Sequence, residues 1–171
     1  MKQNRVVFLD RDGVINEDNG YVYKIEDFIF KDGVFDSLKR LQDLGYKLIV
    51  VTNQSGIGRG YYSEEEFLKL TSFMKDEFKK NGIKIDKVYY CPHKPEDNCE
   101  CRKPKNKMFK DAIKEFDIDP KLSWMIGDKP SDIEAAKRSG IENTVFIGKD
   151  KEGIAKFQLN GIYDIINIIK K

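Results

Sequence analysis

Histidine and cysteine are almost missing from this chain: His93 is the only histidine, and the three cysteines are Cys91, Cys99 and Cys101. All four fall in one short stretch, so several hydrolytic chemistries are excluded elsewhere. A Ser-His-Asp triad or a phosphohistidine mechanism would have to use His93. A cysteine phosphatase needs an arginine closing the loop behind its thiolate, and Asp97 stands at that offset from Cys91. Three cysteines make no disulfide framework, and a pairing would leave one over. Long apolar runs are missing too. Met1 to Arg5 is polar and the apolar run behind it is short, so no secretory leader or membrane span is expected, and the location expected is cytoplasmic. Charge of one sign is not in excess: 31 basic and 29 acidic residues give a net charge of +2. The basic residues are scattered, so neither nucleic acid nor a membrane is an expected partner. Repeats, low-complexity tracts and linkers are absent. One domain over 1–171 is expected, without a separate cap and monomeric, its site walled only by loops.

What is present is a regular alternation of strands and helices. Val6 to Leu9, Lys47 to Val51, Lys87 to Tyr90, Trp124 to Ile126 and Thr144 to Ile147 are short apolar runs that read as strands. Helices are predicted between them, over about Val34 to Leu44, Ser63 to Lys80, Lys107 to Phe116 and Ser131 to Ser139. Ser63 with Glu66 three residues on forms a capping-box signature. A further short helix is predicted from Gly161. The pattern specifies an α/β fold of the Rossmann-like, doubly wound parallel type.

In such a sheet, ligands bind off the carboxyl ends of the strands. The first strand ends in Asp10-Arg11-Asp12-Gly13, the second in Thr52-Asn53, and the fourth in Gly127-Asp128 with Asp132 shortly after. Asp10 and Asp12 would repel if both were ionised with no partner, so either a cation lies between them or one is protonated. Acidic groups from several strand ends make an all-oxygen site suited to Mg2+. The Thr52 hydroxyl is placed to meet phosphate oxygens.

The Cys/His stretch runs Cys91-x-His93, five residues, then Cys99-x-Cys101. Three thiolates and one imidazole are a tetrahedral zinc set, closed and therefore structural. The loop it would staple, 91–104, continues directly into Arg102-Lys103-Pro104.

Asp10-Arg11-Asp12-Gly13-Val14, Thr52-Asn53 and Gly127-Asp128-x-x-x-Asp132 resemble the motifs of the haloacid dehalogenase superfamily, in order and spacing across the whole chain. The resemblance implies that Asp10 is the nucleophile and Asp12 the acid and base. It further implies Mg2+ held by Asp10, Asp128 and the backbone carbonyl of Asp12, with Thr52 and Lys103 acting on the phosphoryl group. Asp18-Asn19-Gly20-Tyr21-Val22, the run from Thr52 to Tyr61 and Gly127-Asp128-Lys129 are similar to the heptose 1,7-bisphosphate 7-phosphatases. That likeness implies a phosphorylated sugar as substrate, contacted by Arg11, Asp18, Asn19, Gly20, Tyr21, Asn53, Gln54, Ser55, Arg102 and Lys129. The short zinc loop also resembles that of the histidinol-phosphate phosphatases, the alternative reading, and a DNA 3′-phosphatase is a third. Gly56, Gly58 and Gly60 do not form a phosphate-binding P-loop, which ends in Gly-Lys-Ser/Thr, and are expected to shape a substrate loop.

Overall fold

The computed structural model describes residues 3–170. Six parallel strands form one sheet: β1 (Val6–Leu9), β2 (Lys47–Asn53), β3 (Lys87–Cys91), β4 (Trp124–Gly127), β5 (Asn143–Ile147) and β6 (Phe157–Leu159). Their order across the sheet is β3-β2-β1-β4-β5-β6. The chain therefore winds outward from β1 in one direction, returns, and winds outward from β4 in the other. The β1/β4 boundary is the switch point at which a crevice opens above the strand ends. Val7 pairs with both Leu48 on one side and Trp124 on the other, which places the residues following β1, β2 and β4 on one rim.

Alternation along β1 feeds two cores. Val7 and Leu9 pack with Leu38, Leu41, Met74 and Phe78 from α1 (Val34–Asp43) and α3 (Glu64–Lys80). Val6 and Phe8 pack with Phe109, Ala112, Ala135 and Ala136 from α4 (Lys107–Glu115) and α5 (Pro130–Arg138). All four β1 side chains are fully buried, which is why the run is continuously apolar rather than alternating. The capping box at the start of α3 forms, with Glu66 N donating to Ser63 Oγ at 3.0 Å and Ser63 N to Glu66 Oε1 at 2.9 Å.

The predicted elements form to within a residue or two at most ends, and further short ones appear, among them three 3-10 turns at Ile25–Asp27, Pro95–Asp97 and Pro120–Leu122. A short helix, Ser55–Gly58, follows β2 directly. A sixth strand, β6, is only three residues long, and its middle side chain is exposed. Its extended state comes from pairing with Val145 to Ile147, a tertiary cause with no trace in the apolar pattern. The predicted tail helix is a 3-10 segment over Ile162–Asn167, tied to α1 by Ser37 Oγ donating to Ile162 O at 3.0 Å. Among the described residues no helix is long and apolar enough to cross a membrane.

Candidate active site

A cavity of about 540 Å3 opens at the switch point, within the usual range for small-molecule sites. Asp10 and Asp12 enter it from the end of β1, Asn53 to Ser55 from the end of β2, and Lys129, Ser131 and Asp132 from beyond β4. Asp18, Gly20 and Tyr21 form one wall, and Arg102, Lys103 and Pro104 another.

At its base lies a cluster of four charges. Lys103, 3% exposed, places Nζ 2.6 Å from Asp132 Oδ1 and 3.2 Å from Asp10 Oδ1, and donates to Val51 O at 2.8 Å. Burial alone would lower the pKa of this ammonium, but Asp10 and Asp132 together outweigh it and hold it above the usual value. Burial pushes the Asp10 carboxyl upward, reinforced by the charge of Asp132 and opposed by Lys103. Asp128 is pushed up to about 7 by burial and the charge of Asp10, with Lys129 opposing.

Asp10, Asp128 and Asp132 offer oxygens within 4.8 Å of one another. Asp128 Oδ1 is buried without a hydrogen-bond partner. Both oxygens of Asp132 are committed, Oδ1 to Lys103 and Oδ2 to the backbone N–H groups of Asp128 and Lys129 at 3.1 Å each. Asp132 thus braces the β4 turn, while Asp10 and Asp128 face each other with charge to neutralise. That donor set fits a hard divalent cation, Mg2+. Gly13 lies against it, with φ +89°, and a Cβ there would come within 1.9 Å of Asp128 Oδ2.

Asp12 is arranged differently from the expectation that it opposes Asp10. Its Oδ1 accepts from Arg11 Nε at 3.1 Å, Arg11 Nη2 at 2.9 Å and Asn16 Nδ2 at 3.0 Å. Gln54 Nε2 donates to its Oδ2 at 3.2 Å. Asp12 is already balanced by Arg11, and the repulsion that calls for a cation lies among Asp10, Asp128 and Asp132.

Arg11 needs a correction as a substrate contact. It is 1% exposed, donates to Val22 O at 2.7 Å, lies over the rings of Phe28 and Phe67, and is not among the residues that line the cavity. Its guanidinium is turned inward by that backbone carbonyl and the two rings, partners distant in sequence. Asn19 and Thr52 also do not line the cavity: Asn19 is exposed, and Thr52 is buried, its Oγ1 accepting from Gln54 Nε2 at 2.9 Å. The other expected contacts, Asp18, Gly20, Tyr21, Asn53, Gln54, Ser55, Arg102 and Lys129, all line it. Lys129 Nζ reaches across to Asp18 Oδ2 at 3.5 Å and Asp128 Oδ2 at 3.7 Å. Arg102 Nη1 is buried without a partner. Sequence reasoning left out Tyr62, Pro95, Pro104 and Ser131 as cavity walls; Ser131, one residue before Asp132 in the strand-end motif, was the one with a local signal.

The Cys/His stretch closes on itself beside this wall. The sulfurs of Cys91 and Cys101 are in disulfide contact. Cys99 Sγ lies 3.5 Å from Cys91 Sγ, and His93 Nδ1 lies 3.5 Å from Cys91 Sγ and 3.3 Å from Cys101 Sγ. All four ligand atoms fall within 4.8 Å of one another. Tetrahedral zinc with Zn–S bonds of about 2.3 Å separates its ligands by about 3.7 Å, and one ion uses all four groups where a disulfide leaves Cys99 and His93 idle. The donor set fits Zn2+. Asn53 then joins the stapled loop to β2, its Oδ1 accepting from Lys103 N at 3.0 Å and its Nδ2 donating to Lys103 O at 3.2 Å.

The sequence pattern of the haloacid dehalogenase-like hydrolases matches residues 2–140, and the chain belongs to that family. Within it, the chain is 44% identical over 180 residues to the D-glycero-beta-D-manno-heptose-1,7-bisphosphate 7-phosphatase of Haemophilus influenzae, covering 98% of each. It is 47% identical to the D-glycero-alpha-D-manno-heptose-1,7-bisphosphate 7-phosphatase of Campylobacter jejuni, covering 99% of this chain and 98% of that one. Among solved structures it is similar to a D,D-heptose 1,7-bisphosphate phosphatase from B. bronchiseptica complexed with magnesium and phosphate. That match has a TM-score of 0.87 at 26% identity and covers 95% of this chain and 96% of the other.

Proposed function

We propose that this protein is a Mg2+-dependent phosphatase that removes the C7 phosphate of a D-glycero-D-manno-heptose 1,7-bisphosphate in nucleotide-heptose and lipopolysaccharide biosynthesis. The observation that carries the reading is the division of charge in the cavity. Lys103 lies against Asp10 at the base, while Arg102 and Lys129 stand as separate cations on the walls. One phosphate can react at the base while a second is held away from it.

Arg11 N at 2.8 Å and Lys103 both contact Oδ1 of Asp10, so Oδ2 is the oxygen left for attack on phosphorus. As the Asp10–phosphorus bond forms, the bond from phosphorus to the C7 oxygen breaks, and that oxygen takes the proton of Asp12. Asp12, now a carboxylate, takes a proton from water, whose oxygen attacks phosphorus and frees Asp10. Lys103 is fixed by three partners and stabilises phosphoryl oxygens without reorganising. Asp10, Asp128 and the Asp12 carbonyl would hold Mg2+, which would supply positive charge where phosphoryl negative charge gathers. Cys91, His93, Cys99 and Cys101 would hold Zn2+, which would stiffen the loop that carries Arg102 and Lys103 to the cavity. The protein acts as one catalytic domain over 1–171, as a monomer in the cytoplasm.

Phosphate release from both anomers of the heptose 1,7-bisphosphate, beside histidinol phosphate and a 3′-phosphorylated oligonucleotide, tests the proposal. The expected result is strong preference for a bisphosphate with the C1 phosphate retained, lost in Asp10→Asn while fold and zinc persist. Preference for histidinol phosphate, or an active Asp10→Asn, would overturn it.

A further inference from the structure

Tyr62 is 5% exposed, and its ring is held by two neighbours. It stacks on Tyr23 with centroids 5.1 Å apart and planes inclined by 10°. It also presses on Gly56, where a Cβ would come within 2.2 Å of the ring. This contact accounts for one of the glycines after β2: Gly56 makes room for an aromatic ring six residues on. The hydroxyl so placed donates to Gln54 Oε1. The other end of the same amide donates from Nε2 to Thr52 Oγ1 at 2.9 Å and to Asp12 Oδ2 at 3.2 Å.

We propose that Tyr62 is a positioning residue for Asp12, acting through the side-chain amide of Gln54. The proposal rests on the reading of Asp12 as general acid and base. Three donors from Arg11 and Asn16 saturate Oδ1 of Asp12, so the transferable proton belongs on Oδ2. Gln54 Nε2 meets Oδ2 from one side and leaves its remaining lone pair for the cavity. An amide has two nearly isosteric orientations. The reversed one would set Gln54 Oε1 against Asp12 Oδ2, where it would accept the acid proton and turn it away from the cavity, and would face the ionised carboxylate acceptor to acceptor once that proton is gone.

Tyr62 biases this choice because its phenol gives Oε1 a donor where Gln54 is only 3% exposed. Burial pushes the Tyr62 hydroxyl up to about 12, so it keeps its proton at neutral pH. Phenylalanine would preserve the ring stack and the contact with Gly56 while leaving Oε1 buried without a donor. The bias between the two orientations would then be lost.

The test uses the full-length, zinc-replete protein with Mg2+ and the heptose bisphosphate. Tyr62→Phe is expected to lower kcat about three- to tenfold, part of the usual acid–base contribution, with KM unchanged. In a Gln54→Ala background the same substitution is expected to change kcat by less than about twofold, because the amide it orients is gone. Independently of substrate, the Gln54 side-chain NH2 resonance, assigned by its disappearance in Gln54→Ala, is expected to shift and exchange faster with solvent in Tyr62→Phe. An equal loss in both backgrounds, a rise in KM instead of a fall in kcat, or an undisturbed amide resonance would overturn the relay. If the wild-type protein released no phosphate from the bisphosphate, the functional reading would fall, and the amide resonance would still decide the relay.

Discussion

Lys103 Nζ lies 2.6 Å from Asp132 Oδ1, with each side chain only 1% exposed. A buried pair of this kind adds little net stability, yet removing one partner strands the other in a medium of low polarity. Here the stranding would be double, because Lys103 also faces Asp10 at 3.2 Å. Lys103→Met is therefore expected to cost about 3–5 kcal/mol, roughly 6–20 °C in melting temperature, and to abolish turnover. Adding Asp132→Asn should recover part of the stability, since Asn still accepts from the Asp128 and Lys129 backbone, but no activity. Calorimetry of the single and double variants checks both statements.

Gly13→Ala is expected to damage metal binding more than folding. Its φ of +89° would cost about 1–2 kcal/mol for any side chain. The new methyl would also displace Asp128, whose Oδ2 stands 1.9 Å from the Cβ position. A Mg2+ titration of activity should show at least a roughly tenfold weaker apparent affinity, equivalent to about 1.4 kcal/mol.

Stability without Mg2+ should fall as pH rises from about 4 to about 7. Asp128 has its carboxyl raised from 3.8 to about 7 in the folded chain, so across that interval the folded state keeps a proton that the unfolded chain has released. The contribution is fully present below the lower value and lost above the upper one. Asp10, raised in the same direction, adds to the slope. Asp128→Asn should flatten it. Mg2+ binds the ionised form, so the rise in melting temperature that it produces should grow with pH through the same interval. Thermal melts of zinc-replete protein, with and without Mg2+, read both effects.

Zinc removal should act on catalysis through the loop that carries Arg102 and Lys103. After chelation, activity is expected to be lost and to return with Zn2+ plus Mg2+, but not with Mg2+ alone. Melting temperature should drop by about 5 °C or more, because metal binding energy is folding energy. Full activity in zinc-free protein would separate the staple from the site.

Legible from residue order alone were the parallel α/β architecture, the strand ends on which the acidic residues stand, and the clustering of all four zinc-ligand candidates. These properties are local or topological. Buried strands must be continuously apolar, glycine and caps end helices, and parallel strands bring their carboxyl ends to one rim whatever the side chains do. Which charges meet is set by the packing of the folded chain. Asp10 and Asp12 are two residues apart, yet Arg11 turns back to neutralise Asp12 because the Val22 carbonyl and the rings of Phe28 and Phe67 receive it. Asp10 is left to face Asp128 and Asp132, more than a hundred residues away in sequence. The sixth strand and the Tyr62–Gln54–Asp12 chain were hidden for the same reason: each exists through a partner distant in sequence or through the angle of a turn. Side-chain partnership in a packed interior is fixed by three-dimensional proximity, which residue spacing does not encode.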